Sequence, residues 1–187
     1  SGAASPALFI FAIAGFYLAL TNGIPLRLAA IDNDGRNAFS LRNDPEAMRA
    51  FYLQMAINSR QTNGERLRDM PEGWFTMPED GAMQNTLVAA VGVYCCNRLM
   101  DEHRFAEADE AMAHLLAGDA NLVGLYRALL VCDRLYLELL GESRRGTPGA
   151  ALTKPQRRIL RQMKNYPSVL RTEYAAALLR DGDAARA

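Results

Sequence analysis

The strongest constraint on the fold is a nearly continuous helical spacing of apolar residues from about Gly81 to Arg180. It predicts five helices, over Gly81–Glu102, Phe105–Ala117, Ala120–Leu140, Lys154–Lys164 and Pro167–Arg180. Short turns separate them, except at Ser143–Ala151, where two glycines and a proline indicate a loop. Thr153 is placed to cap the helix that begins at Lys154, with Pro155 in its first turn. We therefore predict an all-α chain.

The order of the segments divides the chain into two regions. Residues 1–42 are predicted to form an apolar helix and a turn-rich loop that holds one short strand at Leu26–Ile31. Residues 43–187 are predicted to form a helical domain, which begins with a helix capped by Asn43 or Asp44 and ended by Asn63-Gly64. Glu65–Asp80 is irregular, and Trp74 is expected to anchor it onto the helices.

The first apolar segment, Ala7–Leu20, has no charged residue on any side. It is shorter than the roughly 20 residues that span a bilayer, and adding Ala3–Pro6 brings it to the lower edge of that range. A buried core helix, a truncated membrane helix and a re-entrant hairpin all fit. We favour contact with a membrane through residues 3–20; a contact between copies of the chain through the same helix is the alternative.

Charge excludes one class of partner and leaves two local features. The 21 basic and 21 acidic side chains cancel, so we expect no binding to nucleic acid. The stretch Arg144–Arg171 has basic residues and no acidic one, whereas Asp101–Asp119 is rich in carboxylates. Solvated faces are the main interpretation, and mutual docking or an acidic partner are the alternatives.

The three cysteines, Cys95, Cys96 and Cys132, lack the spacing of metal ligands. We expect reduced, buried side chains, which favours a cytosolic setting for the helices.

One helix–turn–helix unit resembles a tetratricopeptide repeat. Leu87, Val91, Tyr94 and Leu99 share a helix face, a polar turn follows, and Phe105-Ala106-Glu107-Ala108 opens the next helix. His103 stands where the family normally has glycine. A partial second match covers Val169–Ala185, so the resemblance implies tetratricopeptide-like hairpins from about residue 82.

Stacked hairpins of this kind leave a concave surface suited to a polypeptide. The expected partner is therefore a polypeptide, with an irregular helical bundle that binds nothing as the alternative.

The sequence shows no recognisable complete active site. It lacks HExxH, a glycine-rich phosphate loop and GxSxG. The two histidines, His103 and His114, are expected to be solvent-exposed or capping. We predict no catalytic residue and no bound cofactor for these 187 residues taken alone.

The leading segment resembles part of another family. The apolar helix followed by Asn22-Gly23-Ile24-Pro25 and then Asn33-Asp34-Gly35, together with Met70–Phe75, is similar to bacterial members of the site-2 protease family of intramembrane zinc metallopeptidases. That resemblance implies that Asp34 is a zinc ligand beside two histidines of an HExxH helix outside this segment, with Asp32 the lesser candidate.

The two resemblances together give the expected function. The chain would be the C-terminal part of a bacterial membrane-associated zinc metallopeptidase, with a cytoplasmic helical domain that binds substrate or partner polypeptides. It would not be catalytic by itself. The alternative is a stand-alone soluble, cytoplasmic tetratricopeptide-like scaffold or adaptor without enzymatic activity.

Overall fold

The computed structural model describes residues 6–24, 41, 44–141 and 153–180. Within these ranges the chain forms α-helices and short 3-10 turns and no strand, so the all-α prediction is confirmed. The seven described α-helices are α1 Pro6–Gly23, α2 Pro45–Thr62, α3 Thr86–Asp101, α4 Phe105–Ala117, α5 Gly124–Leu139, α6 Lys154–Gln162 and α7 Pro167–Ala175, which continues as a π-helical turn over Ala176–Arg180. The predicted strand at Leu26–Ile31 and the predicted loop Ser143–Ala151 lie outside the described residues.

Helix α1 exposes its apolar side chains in every direction. Phe11 is 75% exposed and Phe16 67%, and even Leu20 is 42% exposed. Among the described residues α1 therefore contributes no side chain to the core, and no described element covers its apolar surface. No helix among the described residues has both the length and the apolar character needed to cross a bilayer.

Helices α2 to α7 build the core by packing in chain order. α3 lies between α2 and α4, α5 packs on α4, and both α6 and α7 pack on α5. The main cluster is centred on fully buried side chains such as Cys96, Met112 and Leu115. At Gly92 an added Cβ would lie 3.0 Å from Cδ2 of Leu115, so α3 and α4 approach closely at this glycine.

The predicted capping residues explain where α2 and α6 begin. The Asp44 carboxylate accepts hydrogen bonds from the backbone N–H groups of Glu46 at 3.0 Å and Ala47 at 2.9 Å. Thr153 and Gln156 form a reciprocal capping box at the start of α6. Gly64, with φ of +84°, follows α2, as its sequence predicts.

Two predicted helix starts are wrong. α3 begins at Thr86 rather than Gly81, because Asn85 caps it by accepting from the Leu87 N–H at 2.9 Å. α5 begins at Gly124 rather than Ala120. There the Asn121 N–H donates to the Met83 carbonyl at 2.9 Å, which ties the extended residues before α5 to the 3-10 turn Ala82–Gln84.

The turn between α3 and α4 contains the one described non-glycine residue with positive φ. His103 has a φ of +59° and its ring lies 5.6 Å from the ring of Phe105. Left-handed backbone of this kind is adopted with less strain by glycine than by histidine. His103 therefore occupies a position at which glycine would be favoured.

Candidate functional site

Two clefts lie side by side between α2, α3, α5 and α7. They have volumes of about 610 and 340 Å³ and share four lining residues, Gln61, Asn97, Asp133 and Ser168. Because they share these residues the clefts are adjacent, and we call the two together the groove. Its lining runs from Ala90 to Asp101 on α3 and from Leu125 to Tyr136 on α5.

The lining also gives the relative direction of α3 and α5. The smaller cleft lies between the first halves of the two helices, and the larger cleft lies between their second halves. The two helices therefore run in the same direction along the groove. First helices of consecutive helical hairpins have this arrangement, and α4 is the return helix between them.

The smaller cleft is lined by phenols, carboxamides and aliphatic side chains. The Tyr94 hydroxyl donates a hydrogen bond of 2.8 Å to the Asn58 side-chain oxygen. Burial raises the pKa of Tyr94 to about 12, so this phenol is a neutral donor at physiological pH. Tyr126 and Tyr166 add two more aromatic rings to the wall, and Asp133 is the only acidic or basic side chain among the described residues of this lining.

Asp133 and Arg171 form an ion pair where the two clefts meet. Nη2 of Arg171 lies 2.8 Å from Oδ1 of Asp133, and the Asp133 residue is 4% exposed. Burial raises the pKa of Asp133, while the Arg171 charge and hydrogen bonds from Ser168 and Arg171 act in the opposite direction. The Arg171 guanidinium also lies 4.3 Å from the ring centre of Tyr136.

One donor at this point is unsatisfied within the described residues: Nε of Arg171 is buried and has no hydrogen-bond partner. A buried N–H without a partner is costly, and a ligand oxygen in the groove would satisfy it.

The far end of the larger cleft is held by a second ion pair. Nε of Arg66 donates to Oδ1 of Asp101 at 3.0 Å, and the Arg68 N–H donates to the other carboxylate oxygen at 3.1 Å. Partial burial acts to raise the pKa of Asp101, but these donors outweigh it and the pKa is lowered. His103 and Phe105 complete the wall beside this pair.

The groove therefore offers hydrogen-bonding side chains and aromatic rings rather than a reactive group. Its charged residues are mainly in opposite pairs, and its carboxamides, Asn58, Gln61 and Asn97, can each donate and accept. Such a lining suits the amide groups of a polypeptide backbone, for which both capacities are needed.

The residues predicted for metal chemistry belong to the turn-rich loop of residues 1–42. Asp34 and the lesser candidate Asp32 lie outside the described residues, so their role as zinc ligands stays a prediction. Among the described residues no group of three or more His, Cys, Asp and Glu side chains is arranged to hold a metal ion.

The two histidines are exposed, and the three cysteines are partly or fully buried. The exposed His114 ring lies 2.8 Å from the Asp80 carboxylate, and His103 lies in the turn described above. All three cysteines are free; Cys96 and Cys132 are buried, and burial raises the pKa of both thiols.

Trp74 anchors its loop as predicted. Its ring packs against the small cluster around Ile57 and Phe75, and the Arg60 guanidinium lies 4.7 Å from its ring centre. The Arg98 side chain adds a hydrogen bond of 2.9 Å to the Met70 carbonyl of the same loop.

Sequence reasoning missed the Asp133–Arg171 pair. Arg171 belongs to the basic stretch, and Asp133 lies beside Cys132 at the apolar spacing of Leu125, Leu129 and Cys132. A charged residue on the buried side of a helix was the available signal, because such a residue needs a counter-charge.

The chain matches no protein-family model, and it matches no curated protein or solved structure.

Proposed function

We propose that residues 44–180 bind a polypeptide segment in the groove between α2, α3, α5 and α7. The observation that carries this proposal is the adjacency of the two clefts, which share Gln61, Asn97, Asp133 and Ser168 as lining residues. Adjacent clefts that follow α3 and α5 offer an extended chain more than one binding position, whereas a single enclosed pocket would favour a small molecule. The parallel direction of α3 and α5 supports the tetratricopeptide-like hairpins that the sequence predicts.

Asn97 is the residue with which to test this proposal, because it lines both clefts on α3. Peptides would be selected from a random library on the full chain, and their affinities would be measured for wild type, Asn97→Ala and Gln162→Ala. Gln162 is an exposed carboxamide on α6, outside the groove lining, and provides the matched control. We expect N97A to weaken the selected peptides about tenfold, since two hydrogen bonds of about 1 kcal/mol each are lost with partial compensation by water.

Selected peptides that bind N97A as tightly as wild type would overturn the proposal, and so would a library that yields no binder. A loss on Q162A equal to that on N97A would show that the effect is not located in the groove.

A second candidate function is supported by the exposure of α1. Its uncharged apolar surface requires a covering of lipid or protein, and it directly precedes the segment that resembles the site-2 protease motif. We propose on this basis that the chain belongs to a membrane-associated zinc metallopeptidase in which Asp34 is a ligand and the groove receives substrate or partner polypeptides. The scaffold or adaptor without enzymatic activity is the competing proposal.

Asp32 gives the test of that candidate a matched control within the same loop. The full-length natural protein would be extracted from membranes, and its zinc content would be compared for wild type, Asp34→Asn and Asp32→Asn. We expect loss of zinc in D34N alone, because an amide is a much weaker ligand than a carboxylate. Recovery of the protein in the soluble fraction without detergent, or full zinc content in D34N, would refute this second candidate.

A further inference from the structure

Helix α6 presents basic side chains on one side. Lys154, Arg157, Arg158 and Arg161 fall within an arc of about 100° when each residue advances by about 100°. Lys164 follows in the turn directly after the helix, and all five residues are exposed. We call these five residues the basic face.

The opposite side of α6 is buried and fixes the orientation of the basic face. Leu160 is 8% exposed and packs in a cluster with Ala128, Cys132 and Val169, and Ile159 and Met163 pack against the same cluster. The apolar side of the helix is therefore occupied by the fold. Packing of the apolar side of α6 therefore orients the basic face toward solvent.

Several carboxylates of the segment Asp101–Asp119 are paired with arginines outside the basic face. There Glu102 pairs with Arg98 and Arg104, and Asp109 pairs with Arg134. Asp101 likewise pairs with Arg66. Mutual docking of the two stretches is therefore not seen among the described residues, and no described ion pair there includes Lys154, Arg158, Arg161 or Lys164.

We propose that the basic face of α6 binds the anionic headgroups of a membrane surface. Clusters of four to eight Lys and Arg residues attract anionic lipids without needing a shaped pocket. A protein partner would be expected to find an apolar or aromatic anchor among the charges, whereas the arc on α6 contains none. The exposed apolar surface of α1 provides a second lipid-binding signal in the same chain, and the two contributions reinforce each other.

The test compares two pairs of arginines in the full chain. Arg158→Gln/Arg161→Gln removes two charges from the basic face, and Arg49→Gln/Arg68→Gln removes two exposed arginines from α2 and the loop after it. Binding would be measured by co-sedimentation with vesicles of phosphatidylcholine and with vesicles that also contain phosphatidylserine. Each cation at the surface contributes about fivefold to binding, so the first variant is expected to bind the anionic vesicles about 25-fold more weakly.

Wild type must prefer the anionic vesicles, and the R49Q/R68Q control must keep that preference to within about twofold. Equal binding of wild type to both vesicle types would overturn the proposal, since α1 alone would then explain the binding. Equal losses in the two double variants would also overturn it. Displacement of wild type from anionic vesicles by poly-glutamate, combined with tighter binding to poly-glutamate than to the vesicles, would assign the face to an acidic polypeptide instead. These measurements of vesicle binding do not depend on peptide binding in the groove.

Discussion

The buried ion pair between α4 and α5 allows a quantitative test of how the helical hairpins are held together. Nε of Arg134 lies 2.7 Å from Oδ1 of Asp109, and the two side chains are 12% and 0% exposed. Removing one member of a buried pair takes the counter-charge from the other member and costs about 3–5 kcal/mol. That is a large part of the roughly 5–15 kcal/mol by which a domain of this size is stable.

The exposures of the two side chains predict which single variant is worse. Arg134→Met leaves the Asp109 carboxylate fully buried, so we expect a cost near 5 kcal/mol, the upper end of the range. Asp109→Leu leaves a guanidinium on a long side chain that is already partly exposed and can turn toward water, so its cost should lie near 3 kcal/mol, the lower end. The double variant replaces both charges by apolar groups and should fall within about 2 kcal/mol of wild type.

The assay is urea unfolding of the full chain at pH 7, followed by circular dichroism, for wild type, D109L, R134M and the double variant. Glu65→Gln is the control, because the Arg60–Glu65 pair has a similar separation of 2.9 Å but side chains that are 43% and 33% exposed. An exposed pair of this kind contributes less than about 1 kcal/mol. Costs of the two single variants that simply add in the double variant would refute the reasoning, as would single costs no larger than that of E65Q.

Two further predictions concern the turn and the end of the groove. His103→Gly should stabilise the chain by up to about 1 kcal/mol, because relief of the left-handed strain of about 1–2 kcal/mol exceeds the entropic cost of fixing a glycine. His103→Val should destabilise the chain, since a β-branched residue tolerates this conformation poorly. Equal melting temperatures of H103V and H103G would contradict the assigned backbone conformation. The second prediction uses the lowered pKa of Asp101. The ionised carboxylate stabilises the folded state at pH values above the unfolded pKa of about 4, and this stabilisation is lost as the pH falls through the lower folded pKa. With Asp101→Asn, the free energy of unfolding measured in urea should therefore fall less between pH 7 and pH values below about 4 than it does in wild type. An unchanged pH dependence would exclude a stabilising Arg66–Asp101 pair at this site.

Local chemistry made some elements of the fold predictable from the sequence. The starts of α2 and α6 follow from Asp44 and Thr153, whose side chains bond to backbone groups within three residues along the chain. The limits of α4, Phe105–Ala117, follow from the polar turn before it and Gly118 after it. In each case the determining interactions are local, so the sequence alone contains them.

The start of α5 and the 3-10 turn before α3 were mispredicted because a contact distant in sequence fixes them, whereas the Asn85 cap of α3 is local. Residues 81–85 are compatible with a helix by composition, yet the hydrogen bond between Asn121 and Met83 fixes a 3-10 turn and an extended segment there. The groove has the same origin. Asp133 and Arg171 lie on different helices and become a pair only when α7 packs on α5, which periodicity within one helix does not predict.

Whether the hairpins act as tetratricopeptide-like repeats depends on the direction of their first helices rather than on their spacing. The starts of α3 at Thr86 and α5 at Gly124 are farther apart than the 34 residues of a regular repeat, so spacing alone argues against the family. A groove, however, requires only that consecutive first helices run side by side in the same direction, with the return helix behind them. Tyr94 and Asn97 on α3 and Tyr126 and Asp133 on α5 line one depression in matching order, which meets that requirement. The extended residues before α5 lengthen the connection between α4 and α5. They are not among the residues that line the groove. Polypeptide binding is therefore compatible with an irregular repeat, and Asn97, where the two clefts meet, is the position at which that binding is most directly tested.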